Sequence, residues 1–199
     1  MKLLNSIRLW LGLLTVVPLT FTAFPQSTNR IVQWPANIST PLNTNGAGSS
    51  KVLAKIDALE MVDIAVSGKS ITIGQSFAGD DEWLKNLTVR VRNVSSLNIS
   101  SAQLNLFLPE IMPGGPQVTL CYGCGDVGKG QSIAPAEEVE MKIVFYSWLV
   151  GQVNAKSSFS KITKAEIQNV IVKLPDGTSW LSTCLRTSDL KNACPTPAP

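Results

Sequence analysis

Beyond residue 60, apolar and polar side chains alternate along the chain with a period of two. LTVRVRNVS puts Leu87, Val89 and Val91 on one face and Thr88, Arg90 and Arg92 on the other. Successive strand side chains point to opposite faces, so this run predicts a strand with one buried face. MVDIAVSGKSITIG carries Val62, Ile64 and Val66, breaks at Ser67-Gly68, and resumes with Ile71 and Ile73, the pattern of a hairpin. ISSAQLNLFLPE aligns Ala102, Leu104, Leu106 and Leu108 until Pro109 stops the run. QVTLCYG is a shorter run, and EVEMKIVFYSW sets Val139, Met141, Ile143 and Phe145 against Glu140, Lys142 and Val144. In NVIVKLPDGTSWLSTC, Pro175-Asp176-Gly177 separates two strand-like runs, with Pro presetting φ and Gly supplying a positive-φ position.

Short strands at regular spacing, each with one apolar face, predict an all-β antiparallel β-sandwich of about seven to eight strands. One short connecting helix fits within Trp148 to Lys156, and Lys51 to Glu60 also carries a helical reading. Neither is sustained enough to build a βαβ unit.

The flanks set the organisation. Lys2 and Arg8 precede an apolar run from Leu9 to Leu19, which Pro18 and threonines interrupt and which is short for a spanning helix. Residues 1–23 therefore read as a secretory signal peptide, with an uncleaved membrane anchor as the alternative. Residues 24–50 are rich in Ser, Thr, Asn, Pro and Gly and read as a flexible spacer. The sandwich domain is placed at 51–194, and 195–199 form a Pro-rich tail.

Composition narrows the chemistry. The 199 residues carry a formal charge of +3 without any cluster of Lys and Arg, so no nucleic-acid footprint is indicated. Histidine is absent, which removes Ser-His-Asp and Cys-His catalysis and H-E-x-x-H zinc sites together.

CYGCGDVGKG (121–130) admits three motif readings. Gly123, Gly125 and Gly128 spell G-x-G-x-x-G, but Pro135 stands where the nucleotide-binding helix would run. The stretch misses a P-loop because Gly130 takes the place of the Mg²⁺-binding hydroxyl. Cys121 and Cys124 form C-x-x-C, a reactive redox pair only where a helix N-terminus or a cation lowers the thiol pKa. Four cysteines in an exported chain favour disulfides, and the local pairing 121–124 with 184–194 requires no long-range geometry. The spacing of Cys184 and Cys194 departs from that of a zinc ribbon.

Asp80-Asp81-Glu82 offers oxygen ligands without a Ca²⁺-loop pattern and reads first as a solvated turn. Trp83, Trp148 and Trp180 are candidate stacking aromatics for a binding face, weighed against service as core plugs. Asn37, Asn86, Asn93 and Asn98 each open an N-x-S/T sequon.

The segment LTVRVRNVSSLNISSAQLNLFLPE, followed by IAPAEEVEMKIVF, resembles bacterial envelope modules of the FxLYD type and related immunoglobulin-like sandwiches of unknown function. Asn93, Ser95 and Ile99 match the strand-turn-strand part, and Pro135 and Glu137 match the later strand start. Ala136 replaces the usual glycine, and LFLPE replaces the aromatic-Leu-Tyr-Asp run. The resemblance spans Leu87 to Tyr146 and implies a fold and an envelope location, with no catalytic residue.

The expectation is an exported, non-catalytic, cofactor-free module, secreted or periplasmic, that contacts an unknown protein or envelope component. It touches a membrane only if the N-terminal segment is retained. The alternatives are a thiol–disulfide or metal-handling protein using Cys121 and Cys124, and a carbohydrate-binding module using exposed tryptophan.

Overall fold

The alternating runs fold as strands. The computed structural model describes residues 28–34, 52–54, 58–111, 118–124, 130–155, 157–182 and 185–187. In chain order the strands are β1 (Thr28–Gln33), β2 (Val52–Ala54), β3 (Leu59–Val66), β4 (Lys69–Ser70), β5 (Ser76–Gly79) and β6 (Leu87–Asn93). There follow β7 (Ser101–Phe107), β8 (Val118–Tyr122) and β9 (Glu138–Ile143). A helix α1 (Tyr146–Asn154) and a 3₁₀ turn (Phe159–Lys161) then lead to β10 (Lys164–Lys173), β11 (Ser179–Ser182) and β12 (Arg186–Thr187).

The fold is all-β with one α-helix among the described residues. Nine strands form one hydrogen-bonded path, β12-β3-β6-β9-β8-β7-β10-β1-β5, curled into a half-barrel. Off this path β11 pairs with both β10 and β2, and β4 pairs with β3. Most neighbours are antiparallel; β1 runs parallel to β10, β2 to β11 and β12 to β3. The strand segments outnumber the seven to eight expected because the short pieces β2, β4, β5 and β12, together with β1, add to the long runs.

The inward faces share one core. Leu87, Val89 and Val91 of β6 meet Leu104 and Leu106 of β7, Ile167 and Val170 of β10, and Val139 and Met141 of β9 within a single buried cluster. Each such side chain contributes about 1.5–3 kcal/mol by leaving water. The outer face of β3-β6-β9 is a charged ladder: Arg92 pairs with Glu60 and Glu138, and Arg90 reaches Asp63 and Glu138.

Two bulges set which residues face in. The β3–β6 register shifts between Met61 and Asp63, so Leu59 and Met61 enter the core with Ile64 and Val66, whereas Val62 does not. Strict alternation from Val62 assigned that valine inward; the extra residue of the bulge reverses it. A second bulge between Ile167 and Asn169 switches β10 from Ala165 and Ile167 to Val170 and Val172.

Three further expectations change. Val52–Ala54 is strand, paired with β11, and β3 starts at Leu59, so the helical reading of Lys51 to Glu60 fails. Parallel pairing to an existing strand overrode a weak local preference. Thr28–Gln33, read as spacer, is β1, with Arg30, Val32 and Trp34 buried in alternation. The inward arginine hid that period. Phe145 is not the last inward residue of β9 but lies beyond the strand end. The hairpin at Ser67-Gly68, the connecting helix and the Pro175-Asp176-Gly177 turn form as expected. Ser67 (φ 51) and Gly68 (φ 75) both take the left-handed conformation a two-residue hairpin requires. The signal segment, most of the spacer, Cys184, Cys194 and the tail lie outside the described residues.

Candidate interaction face

Where β9 ends, the Val144 N–H donates to the Thr119 carbonyl at 3.0 Å, and Phe145 turns into the left-handed region at φ 58, ψ 36. A non-glycine residue there costs about 1–2 kcal/mol. Phe145 precedes α1 without any side-chain cap, so no capping bond offsets that cost. The helix buries Leu149 and Val153, four apart on one face, and turns Trp148 outward. Phe145 is 74% exposed and Trp148 53% exposed.

Two grooves flank this pair and share Ile143, Val144 and Phe145. One, of about 410 Å³, lies against Val118, Thr119, Trp148 and Leu149. The other, of about 640 Å³, lies against Cys121, Tyr122, Cys124, Glu140 and Lys142. The walls of both are set by the β8–β9 ladder, whose register runs through Leu120↔Ile143 and Cys121↔Lys142.

Cys121 and Cys124 are joined by a disulfide, with their Cα atoms 6.0 Å apart. This is the local pairing expected. Cys121 sits at the end of β8 rather than at a helix N-terminus, and paired sulfurs are not thiolate ligands. Gly123, between them, has φ 71, and a Cβ there would stand 2.5 Å from the Ser100 carbonyl oxygen. The glycine therefore serves a tight turn and close backbone approach, which accounts for one glycine of the G-x-G-x-x-G pattern without any phosphate. Gly125 and Gly128 lie outside the described residues.

The three tryptophans separate. Trp83 is fully buried, with its indole N–H donating to the Ile162 carbonyl at 3.0 Å and its ring edge-on to Phe77 at 5.6 Å. Trp180 is also buried. Both are core plugs, which leaves Trp148 as the surface ring of the three. Phe145, its partner in exposure, was missed because strand periodicity placed it inward.

The acidic cluster is a structural turn. The Asp80 carboxylate accepts the Glu82 N–H, Glu82 pairs with Lys85, and Asp81 pairs with the buried Arg30 at 3.0 Å. Arg30 also donates to the carbonyls of Ser160 and Ile162. Among the described residues no group of three or more His, Cys, Asp or Glu is placed to hold a metal ion.

The residues that carry the envelope-module resemblance meet at the far end of the sheet. Asn93 is fully buried: its Nδ2 donates to the carbonyls of Leu97 (2.7 Å) and Ile133 (2.9 Å), and its Oδ1 accepts from the Ser95 N–H and hydroxyl. Its backbone N–H donates to Glu137 and its carbonyl accepts from Ala136, while Ile99 bridges Ile133. The sequon at Asn93 is thus a closed polar turn, whereas Asn98 is exposed; Asn37 lies outside the described residues.

Comparison with protein-family models, with curated proteins and with solved structures finds no match to this chain.

Proposed function

We propose that the chain is an exported, non-catalytic immunoglobulin-like β-sandwich, secreted or periplasmic, that contacts a protein or another envelope component through the face bearing Phe145 and Trp148. The observation that carries this reading is an exposed aromatic pair whose first member sits on a left-handed backbone. Both features disfavour the isolated fold, and such strain persists where a surface is used for contact.

Support for the sandwich comes from strand neighbours. In chain order β3, β6, β7, β8, β9, β10 and β11 take the places of strands A to G of a seven-stranded immunoglobulin domain. The neighbours β3-β6-β9-β8 correspond to A-B-E-D and β7-β10-β11 to C-F-G. The β7–β8 ladder, which joins the two groups, departs from that scheme.

Hydroxyl-radical footprinting in intact exporting cells, compared with the purified protein, tests the contact face. Phe145 and Trp148 should oxidise on the purified protein and be protected several-fold in the cell. Equal oxidation in both settings would remove the face from the proposal.

A further inference from the structure

The aromatic face lies at the end of the domain where the chain arrives from its N-terminal segment. β1 runs parallel to β10 with Ile31 opposite Lys164, so Thr28 projects about 10 Å beyond the start of β10. That is the end occupied by α1 and the 3₁₀ turn, which precede β10 in the chain. Arg30 bonds the carbonyls of Ser160 and Ile162, and the ring of Phe159 lies 5.8 Å from that of Tyr146. Thr28 also pairs with Gly79, and Asp81 of the acidic turn that follows shares Arg30 with the Ser160 and Ile162 carbonyls.

Only residues 20–27 separate Thr28 from the apolar run Leu9 to Leu19. Fully extended, such a linker reaches about 30 Å. If the run occupies a bilayer, this end of the domain therefore faces the lipid at short range.

The chemistry of the face suits that neighbour. Phe145 and Trp148 present an apolar ring and an amphipathic indole, and aromatic side chains of the latter kind settle at the membrane–water interface. Of the charges near the face, Asp81 pairs with Arg30, Glu82 with Lys85 and Lys142 with Glu140, and Asp80 adds a further negative charge. An attraction to anionic headgroups is therefore not the source of affinity.

We infer that the partner of this face is a zwitterionic lipid surface, into which Phe145 and Trp148 dip while the N-terminal segment tethers the domain. The inference rests on the contact face proposed above. It makes the module membrane-apposed, with its Asn93 end directed away from the bilayer.

The test uses the full chain, with retention of the N-terminal run checked by intact mass, and phosphatidylcholine vesicles carrying brominated acyl chains. The difference in fluorescence quenching between wild type and Trp148→Phe isolates Trp148, because the other four tryptophans, Trp10 of the apolar run among them, are common to both proteins. Trp148 should be quenched at low and at high salt alike. Phe145→Asn, which suits the left-handed backbone, should lower that quenching on the order of tenfold while the apolar run still binds vesicles. No difference between wild type and Trp148→Phe would overturn the lipid inference. If Trp148 is unquenched by vesicles yet protected from radicals in the cell, a protein covers the face and only the lipid assignment falls. If it is also unprotected in the cell, the contact-face reading falls as well.

Discussion

Replacing Arg30 by methionine probes how β1 is held to the domain. The guanidinium is fully buried, yet it belongs to a strand near the start of the described chain. The change removes its bonds to the Ser160 carbonyl (3.1 Å), the Ile162 carbonyl and Asp81 (3.0 Å), and keeps an unbranched stem for packing. A hydrogen bond to a charged group contributes about 1.5–3 kcal/mol. Two effects reduce the sum. The Ile162 carbonyl keeps the Trp83 indole as a donor, so it is not orphaned. Methionine also avoids the several kcal/mol needed to bury a charge. The expected net loss is about 2–3 kcal/mol, or roughly 5–10 °C in melting temperature. Asp81→Asn should cost about 1 kcal/mol, because its carboxylate is 59% exposed and its attraction is screened. Urea unfolding of both variants and the double variant gives the coupling energy. A methionine variant within about 0.5 kcal/mol of wild type, the range of an ordinary surface substitution, would refute the clamp.

Three other outcomes follow from particular residues. Asn93→Ala should cost about 2–4 kcal/mol in denaturant unfolding, since it opens a buried turn in which one side chain makes four bonds. Ala136→Gly should stabilise by about 0.5–1 kcal/mol in the same assay, because relief at φ 64 exceeds the added freedom of the unfolded glycine. The Tyr146 phenol is held above its ordinary range by burial first, then by Glu82 and Asp80. Its neutral form is favoured in the folded state, so its contribution is whole below the unfolded pKa and is lost as pH rises through the folded one. Ultraviolet titration should show one tyrosine ionising late, and Asp80→Asn with Glu82→Gln should bring it earlier.

Sequence alone was sufficient for the elements whose signal is local. Leu87, Val89 and Val91 declare their face through period two, and Pro175-Asp176-Gly177 declares a turn through backbone chemistry. Ser95 lies two residues from Asn93, so the first half of the Asn93 turn was also legible. The all-β class and the 121–124 disulfide came from the same short-range information.

What escaped depended on contacts distant in the chain. Val62 faces away from the core because β6 accommodates a bulge, and no property of Val62 itself records that. β1 is a strand because Arg30 finds carbonyls 130 and 132 residues away and a carboxylate 51 away, so an inward charge became tolerable. Trp83 and Trp148 have the same chemistry; only packing decided that one plugs the core and the other faces out. Phe145 joined the surface because β9 ended two residues before it and the backbone turned left-handed. Hydrophobic periodicity reports which side chains prefer to leave water, but the tertiary fold, through ladder ends and bulges, determines which of them can.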